Sequence, residues 1–312
     1  MKCSRGFTIA ELAVAAAILA LLLFGAMIPF STQVEIRNAN ETQRTMDSIK
    51  DALLGFTQAN GRLPCPANGA TPAGTIDTTT WATSVVAGAE QWDPANSRCY
   101  IALGVVPWTT LGTSETDAWG RRFSYRVSPA FADSIGSNTW QSRKTGAGAF
   151  PGQSTPLPAS PADQVPSCPT TPVALTPSPT LSSFALCTLG DIAVFTRTTS
   201  VATPLASAVP AIFISHGKNG YGAWQPSGLQ VQAAGAGTDE AANASGTSQQ
   251  TPTGGYKSWA YYSRNPTAAA SGCADPAPPG ASGSPLCEFD DIVVTITTST
   301  LITRMVAAGK LP

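Results

Sequence analysis

Between Phe7 and Phe30 the chain reads FTIAELAVAAAILALLLFGAMIPF, and Glu11 is the one charged residue in that stretch. As a helix rising ~1.5 Å per residue, it is long enough to cross a hydrocarbon core of ~30 Å. A secretory signal has a shorter apolar region, of roughly 7–15 residues, followed by a small-residue cleavage site. Here no such site is present, and the chain runs on through STQVEIRNANETQ. Lys2 and Arg5 precede the run, which predicts a cytoplasmic N-terminus and the bulk of the chain outside. Cys3 lies before the run, so it does not fit a lipoprotein site. Glu11 is the anomaly. A charge near a bilayer centre costs about 2.5–3.5 kcal/mol on insertion scales. Either Glu11 stays wet at the headgroups, or it meets a positive group that this chain does not itself supply.

Past the apolar run the pattern changes. Pro29 removes a helical hydrogen bond and is expected to kink the helix. Residues 31–45 are polar, and then Met46, Ile49, Leu53 and Phe56 recur at helical spacing with Leu54 beside them. Asn60-Gly61 is a stop signal. One helix from Phe7 to about residue 59, ~80 Å long, would therefore offer a single apolar stripe to the rest of the chain.

Beyond the helix lies a head of small, neutral residues. The 312-residue chain has 12% charged residues, 28 Gly and 26 Pro, with a net charge of -1. That balance gives no case for a nucleic-acid partner held by a global positive field. Of seven cysteines, Cys3 precedes the apolar run and six come after it. Six permit three disulfides in an oxidising compartment. The simplest pairing joins neighbours: Cys65–Cys99, Cys168–Cys187 and Cys273–Cys287. A zinc site has little support, since there is no CxxC pair and only one histidine.

Residues 61–120 read as a long loop tied by Cys65–Cys99 and packed through Trp81, Trp92, Trp108 and Trp119. Strand-like runs lie at Arg122–Val127, Asp191–Thr198, Pro210–His216, Lys257–Tyr262 and Phe289–Thr297. A short helix over 299–308 ends at Gly309. The expected class is α+β: a long N-terminal helix on a mostly antiparallel sheet. Three Pro/Ala/Gly/Ser-rich insertions, about 128–188, 217–256 and 263–287, separate the strands, and two of them hold a cysteine pair.

Chemistry-bearing motifs are sparse. His216-Gly217-Lys218-Asn219-Gly220 holds the only histidine, but Asn-Gly after a strand is a turn signal. The phosphate-loop spacing GxxxxGK[ST] is absent. No GxSxG elbow accompanies the histidine, so the sequence points away from an enzyme, and no cofactor is expected.

The segment Gly6-Phe7-Thr8-Ile9-Ala10-Glu11-Leu12, behind a short basic leader and ahead of the apolar helix, resembles a type IV prepilin or pseudopilin leader. The resemblance implies cleavage after Gly6 by a prepilin peptidase and N-methylation of Phe7. It also implies a partner for Glu11, the terminal amine of a neighbouring subunit created by that cleavage. A proline near Pro29 is common in pilin helices. Asp117-Ala118-Trp119-Gly120 resembles a turn of the major pseudopilins, some of which bind calcium through acidic loop residues. Glu115 and Asp117 would then join Asp290 and Asp291 as ligands. The alternative is an Asp-capped turn with a buried Trp, and on that reading, the one expected, there is no metal.

The C-terminal EFDDIVVTITTSTLITRMVAAGKLP and the HGKNGYGA turn also look like those of large pilin-like proteins of Gram-negative bacteria. The implied organisation is a leader (1–6), an assembly helix (7–30), a helix extension (31–60) and a periplasmic or extracellular head (61–312). The expected function is that of a structural subunit, minor-pilin-like because of its large head, in a type IV pilus-type filament. Its expected partners are other pilin or pseudopilin subunits, the peptidase and the inner-membrane assembly machinery. The expected location is the inner membrane as a single-pass protein, then a surface or periplasmic filament. The alternatives are a type II secretion pseudopilin and a tethered adhesin or ligand-binding domain.

Overall fold

The computed structural model describes residues 8–77, 85–94, 98–132, 184, 190–198, 201–232, 235–246, 249–250, 258–275 and 285–311, leaving aside the side chains of 21–32 and 249–250. Helix α1 (Ile9–Asn60) runs for 52 residues, starting two residues later than the sequence suggests. Thr8 is its N-cap, and Gly61 ends it in the left-handed conformation (φ 72°), where a residue without Cβ is unstrained. The Gly61 N–H donates to the Thr57 carbonyl at 2.8 Å, which closes the last turn. The backbone is helical through Pro29, but the side chain there lies outside the described residues.

The head holds two four-stranded sheets rather than one. The first is ordered β12 (Ile292–Ile296), β9 (Ala211–Ser215), β6 (Ser124–Val127), β5 (Leu103–Val105) and is antiparallel throughout. The second is ordered β10 (Gln249–Gln250), β11 (Ser258–Tyr262), β7 (Ile192–Thr196), β8 (Thr203–Val209). Its β11 and β7 run parallel, so the expectation of a mostly antiparallel sheet holds with one exception. All five expected strand runs are present, three in the first sheet and two in the second. The three further members are β5, β10 and β8, and the outer residues of β8 are largely exposed, as suits an edge strand with weak alternation.

Alternation explains the layering. Phe123, just before β6, with Tyr125 and Val127 of β6 and Ala211 and Phe213 of β9, faces α1 and meets Met46, Ile49, Leu53 and Leu54 of its stripe. Leu301 and Met305 of the last helix, Thr298–Ala307, close this core. Ile212 and Ile214 point the other way and pack on Ile192, Val194, Trp259 and Tyr261 of the second sheet. The far face of that sheet, through Ala193, Phe195, Ala260 and Tyr262, is covered by Ala242 of a helix at Thr238–Ser245. The order is therefore helix, sheet, sheet, helix.

The 61–120 region is more regular than a loop. It contains two short ladders, β1 (Ile76–Asp77) with β2 (Val85–Val86) and β3 (Trp92–Asp93) with β4 (Arg98–Cys99). The short helices α2 (Trp108–Leu111) and α3 (Pro129–Ala132) come next, so the two helices above are α4 (Thr238–Ser245) and α5 (Thr298–Ala307). Cys65–Cys99 and Cys273–Cys287 are disulfides. The third expected pair, Cys168–Cys187, and Trp81 lie outside the described residues. Arg62 lies 3.8 Å over the Trp92 ring and makes two 2.8 Å bonds to Glu90, which fastens the exit from α1.

Candidate functional site

Two places carry the groups of interest: the start of α1 and the junction between the sheets.

At the start of α1, Thr8 and Glu11 form a capping box. The Glu11 carboxylate accepts from the Thr8 N–H at 2.9 Å and the Thr8 hydroxyl at 3.0 Å, while the Glu11 N–H donates to Thr8 Oγ1 at 3.3 Å. Glu11 thus has local partners within its own chain, in addition to the external ammonium that the family resemblance implies. A carboxylate offers about four lone-pair sites, so these bonds do not exhaust it. Residues 8–20 are exposed throughout, including Ile9, Leu12, Ile18 and Leu19. Gly6 and Phe7 lie outside the described residues, as does part of the expected span Phe7–Phe30. Among the described residues no helix is long and apolar enough to cross a membrane.

Inside the head, strand order brings three distant residues into line. Ser124 opens β6, His216 comes directly after β9, and Asp291 precedes β12, three adjacent strands of one sheet. Ser124 Oγ lies 2.8 Å from His216 Nε2, and His216 Nδ1 lies 3.2 Å from Asp291 Oδ1. All three are buried. The Asn243 amide donates to Asp291 Oδ2 at 2.8 Å, and Asn243 is itself held by both backbone groups of Tyr262. Ser124 also stands on the wall of a cavity of about 330 Å³, with Asn68, Gln91, Leu103, Trp224 and Gln230.

The turn expected at His216–Gly220 is present: the Gly220 N–H donates to the His216 carbonyl at 2.8 Å, and Gly217 and Gly220 have positive φ. Beside it, oxygen atoms of Glu240, Asp290 and Asp291 lie within 4.8 Å of one another, a donor set that suits a hard cation such as Ca²⁺. Glu240 Oε1 accepts from Asn219 Nδ2 and from the Asp290 N–H, both at 3.0 Å. Burial, reinforced by the charges of Asp291 and Asp290, pushes the Glu240 carboxyl up to about 8. Burial also raises Asp290.

Glu115 and Asp117, weighed from the sequence as co-ligands of Asp290 and Asp291, are engaged elsewhere. Glu115 Oε1 pairs with the buried Arg122 at 2.7 Å. Asp117 caps its own turn, accepting from the Trp119 and Arg121 N–H groups and from the Ser215 hydroxyl at 2.6 Å. This is the Asp-capped turn, with Trp119 half-buried rather than buried.

Ser124, Glu240 and Asn243 carry no sequence motif. The signal for Ser124 was in the alternation: a strand whose odd positions are Phe, Tyr and Val puts Ser124 and Arg126 on its second face, which must also be buried if another layer covers it.

Residues 1–27 match the protein-family model described as the prokaryotic N-terminal methylation motif. The leader is therefore of the type IV pilin-like prepilin kind, as the residues around Gly6 and Glu11 suggest. The match stops well before the head. No curated protein and no solved structure matches the chain.

Proposed function

We propose that the chain is a pilin-like structural subunit, cleaved after Gly6 by a prepilin peptidase, methylated on Phe7 and polymerised through the first half of α1. The observation that carries this reading is the methylation motif at residues 1–27, running into a helix whose apolar residues 8–20 find no cover in their own chain. Aliphatic surface of that extent is favourable only in lipid or against other helices. Before assembly the helix anchors the subunit in the inner membrane with the head outside. In the filament it packs against the same segment of neighbouring pilin or pseudopilin subunits. Glu11 supplies the charge that meets the incoming terminal ammonium, setting the axial register of each addition. The size of the head favours a minor, tip-proximal position.

The test is intact mass of the mature protein together with its distribution between membrane and sheared filaments. Loss of residues 1–6, one added methyl and recovery in filaments are expected. An N-terminus at Met1, or one beyond the apolar run, would remove the basis of the reading. A secretion defect rather than a piliation defect on deletion would assign the same subunit to a type II secretion filament.

A further inference from the structure

We propose that Ser124, His216 and Asp291 form an acyl-transfer site that hydrolyses small, uncharged carboxylic esters, an activity independent of polymerisation.

The alignment defines a tautomer. A carboxylate only accepts, so the 3.2 Å contact with Asp291 places the proton of neutral His216 on Nδ1. Nε2 then carries a lone pair, aimed at the Ser124 hydroxyl 2.8 Å away. This is the arrangement in which an imidazole takes a serine proton while a fixed carboxylate holds the ring. Asp291 is held in turn by Asn243, at 2.8 Å, so the orienting carboxylate is itself oriented. Ser124 is the first residue of β6, and His216 and Asp291 each adjoin an end of a neighbouring strand of the same sheet, so the sheet sets their spacing.

A buried hydroxyl–imidazole–carboxylate chain can be purely structural, but here Ser124 is also part of a cavity wall. Ser124 lines the cavity of about 330 Å³, at the lower end of the volumes that hold small ligands. The wall contains no charged residue, which disfavours anionic or cationic substrates and selects neutral ones. It does contain amides. Asn68 and Gln91 each give a side-chain N–H to Asp77, at 2.8 and 3.3 Å, and each amide carries a second N–H. Amide donors are groups of the kind that stabilise a developing oxyanion when they lie within hydrogen-bond reach of it.

The step balances with water as the only co-reactant. Ser124 Oγ bonds to the acyl carbon as its proton passes to His216 Nε2. The ester C–O bond then breaks and the alcohol leaves with that proton. Water attacks the acyl-serine, giving a proton to Nε2, and the carboxylic acid departs as Ser124 recovers its proton. Ser124 and His216 are the catalytic residues, and Asp291 is a positioning residue.

The experiment uses the full chain in detergent, with a fluorophosphonate probe and p-nitrophenyl acetate. An adduct mapped to Ser124 is expected, with steady release of nitrophenolate. Ser124→Ala should lose the adduct and at least about 10³-fold in turnover. Asp291→Asn should lower kcat by up to about 10⁴-fold while leaving KM within a few-fold, a split that a merely structural role would not produce. The wild-type result decides even if a variant misfolds. Folded protein, with Cys65–Cys99 and Cys273–Cys287 closed, that gives no Ser124 adduct would overturn the proposal. Wild-type turnover by a folded Ser124→Ala would do so equally.

Discussion

The two ends of α1 are one continuous helix with opposite surroundings. Near its start Ile9 is 90% and Leu12 67% exposed, whereas Met46, Ile49 and Leu53 are fully buried against the head. The first stretch is aliphatic on every side, a pattern that no single sheet face could cover. The second is amphipathic, with one stripe that fits one face of the first sheet. Helical structure is therefore common to both, and the distribution of apolar residues around it decides whether the partner is internal or external.

The contrast can be broken most sharply at Glu11. Glu11→Ala should leave membrane insertion and head folding intact and abolish recovery in sheared filaments. The incoming ammonium would be buried without a counter-charge, a loss of several kcal/mol. Glu11→Gln should do nearly as badly, and wild-type incorporation of either variant would reduce Glu11 to its capping box. Next come paired truncations. Leu53→Ala should destabilise the head by about 2–5 kcal/mol in urea unfolding. Leu19→Ala, at a position 59% exposed, should leave that midpoint unchanged and weaken only assembly. If Leu19→Ala also unfolded the head, the two halves would not be independent. Replacing Cys65 and Cys99 by Ser should cost about 3–4 kcal/mol, measured in the same unfolding experiment, because the bridge closes a span of 34 residues.

A subtler effect should appear with pH. The Glu240 carboxyl sits at about 8 in the folded head, against an ordinary 4.5. A raised carboxyl stabilises the fold when protonated. Its contribution is complete below 4.5 and is lost as pH rises through about 8. The urea midpoint should fall across that window, and Glu240→Gln should flatten the decline. Smallest of all, Lys218 reaches Glu35 of α1 through an exposed ion pair. Lys218→Ala should not move the midpoint measurably, as expected for charges in water.

These regions also differ in how much of them the sequence revealed. The α1 stripe, its stop at Asn60-Gly61 and five strands come from local periodicity and turn chemistry, which act over a few residues. The second sheet layer does not, because nothing local says whether two strands share a sheet or face each other. The polar interior was equally hidden. Arg197 and Arg264 both pair with Asp239, at 2.9 and 3.0 Å, and Arg264 also reaches Asp275 at 3.1 Å. Read singly, each of these looks like a solvated surface charge. Only the topology that brings Arg197, Arg264 and Asp275 to Asp239 of α4 makes them interior. The grouping of Ser124 with His216 and Asp291 was hidden for the same reason, since a three-residue constellation gathered at the ends of three strands has no linear spacing.

The core that α1 enters is completed by the far end of the chain. Ile296, Leu301 and Met305 pack with Met46, Ile49 and Leu53, and Gln58 reaches the Arg304 carbonyl across 246 residues of sequence. Such long-range closure gives a high contact order and slow, late folding. While the polypeptide is still emerging, the α1 stripe has neither β12 nor α5 to rest on. That part of the core therefore stays open until the last residues have arrived. On the proposed function, in which the head lies outside the inner membrane, that delay would keep the chain in a form that can still be exported.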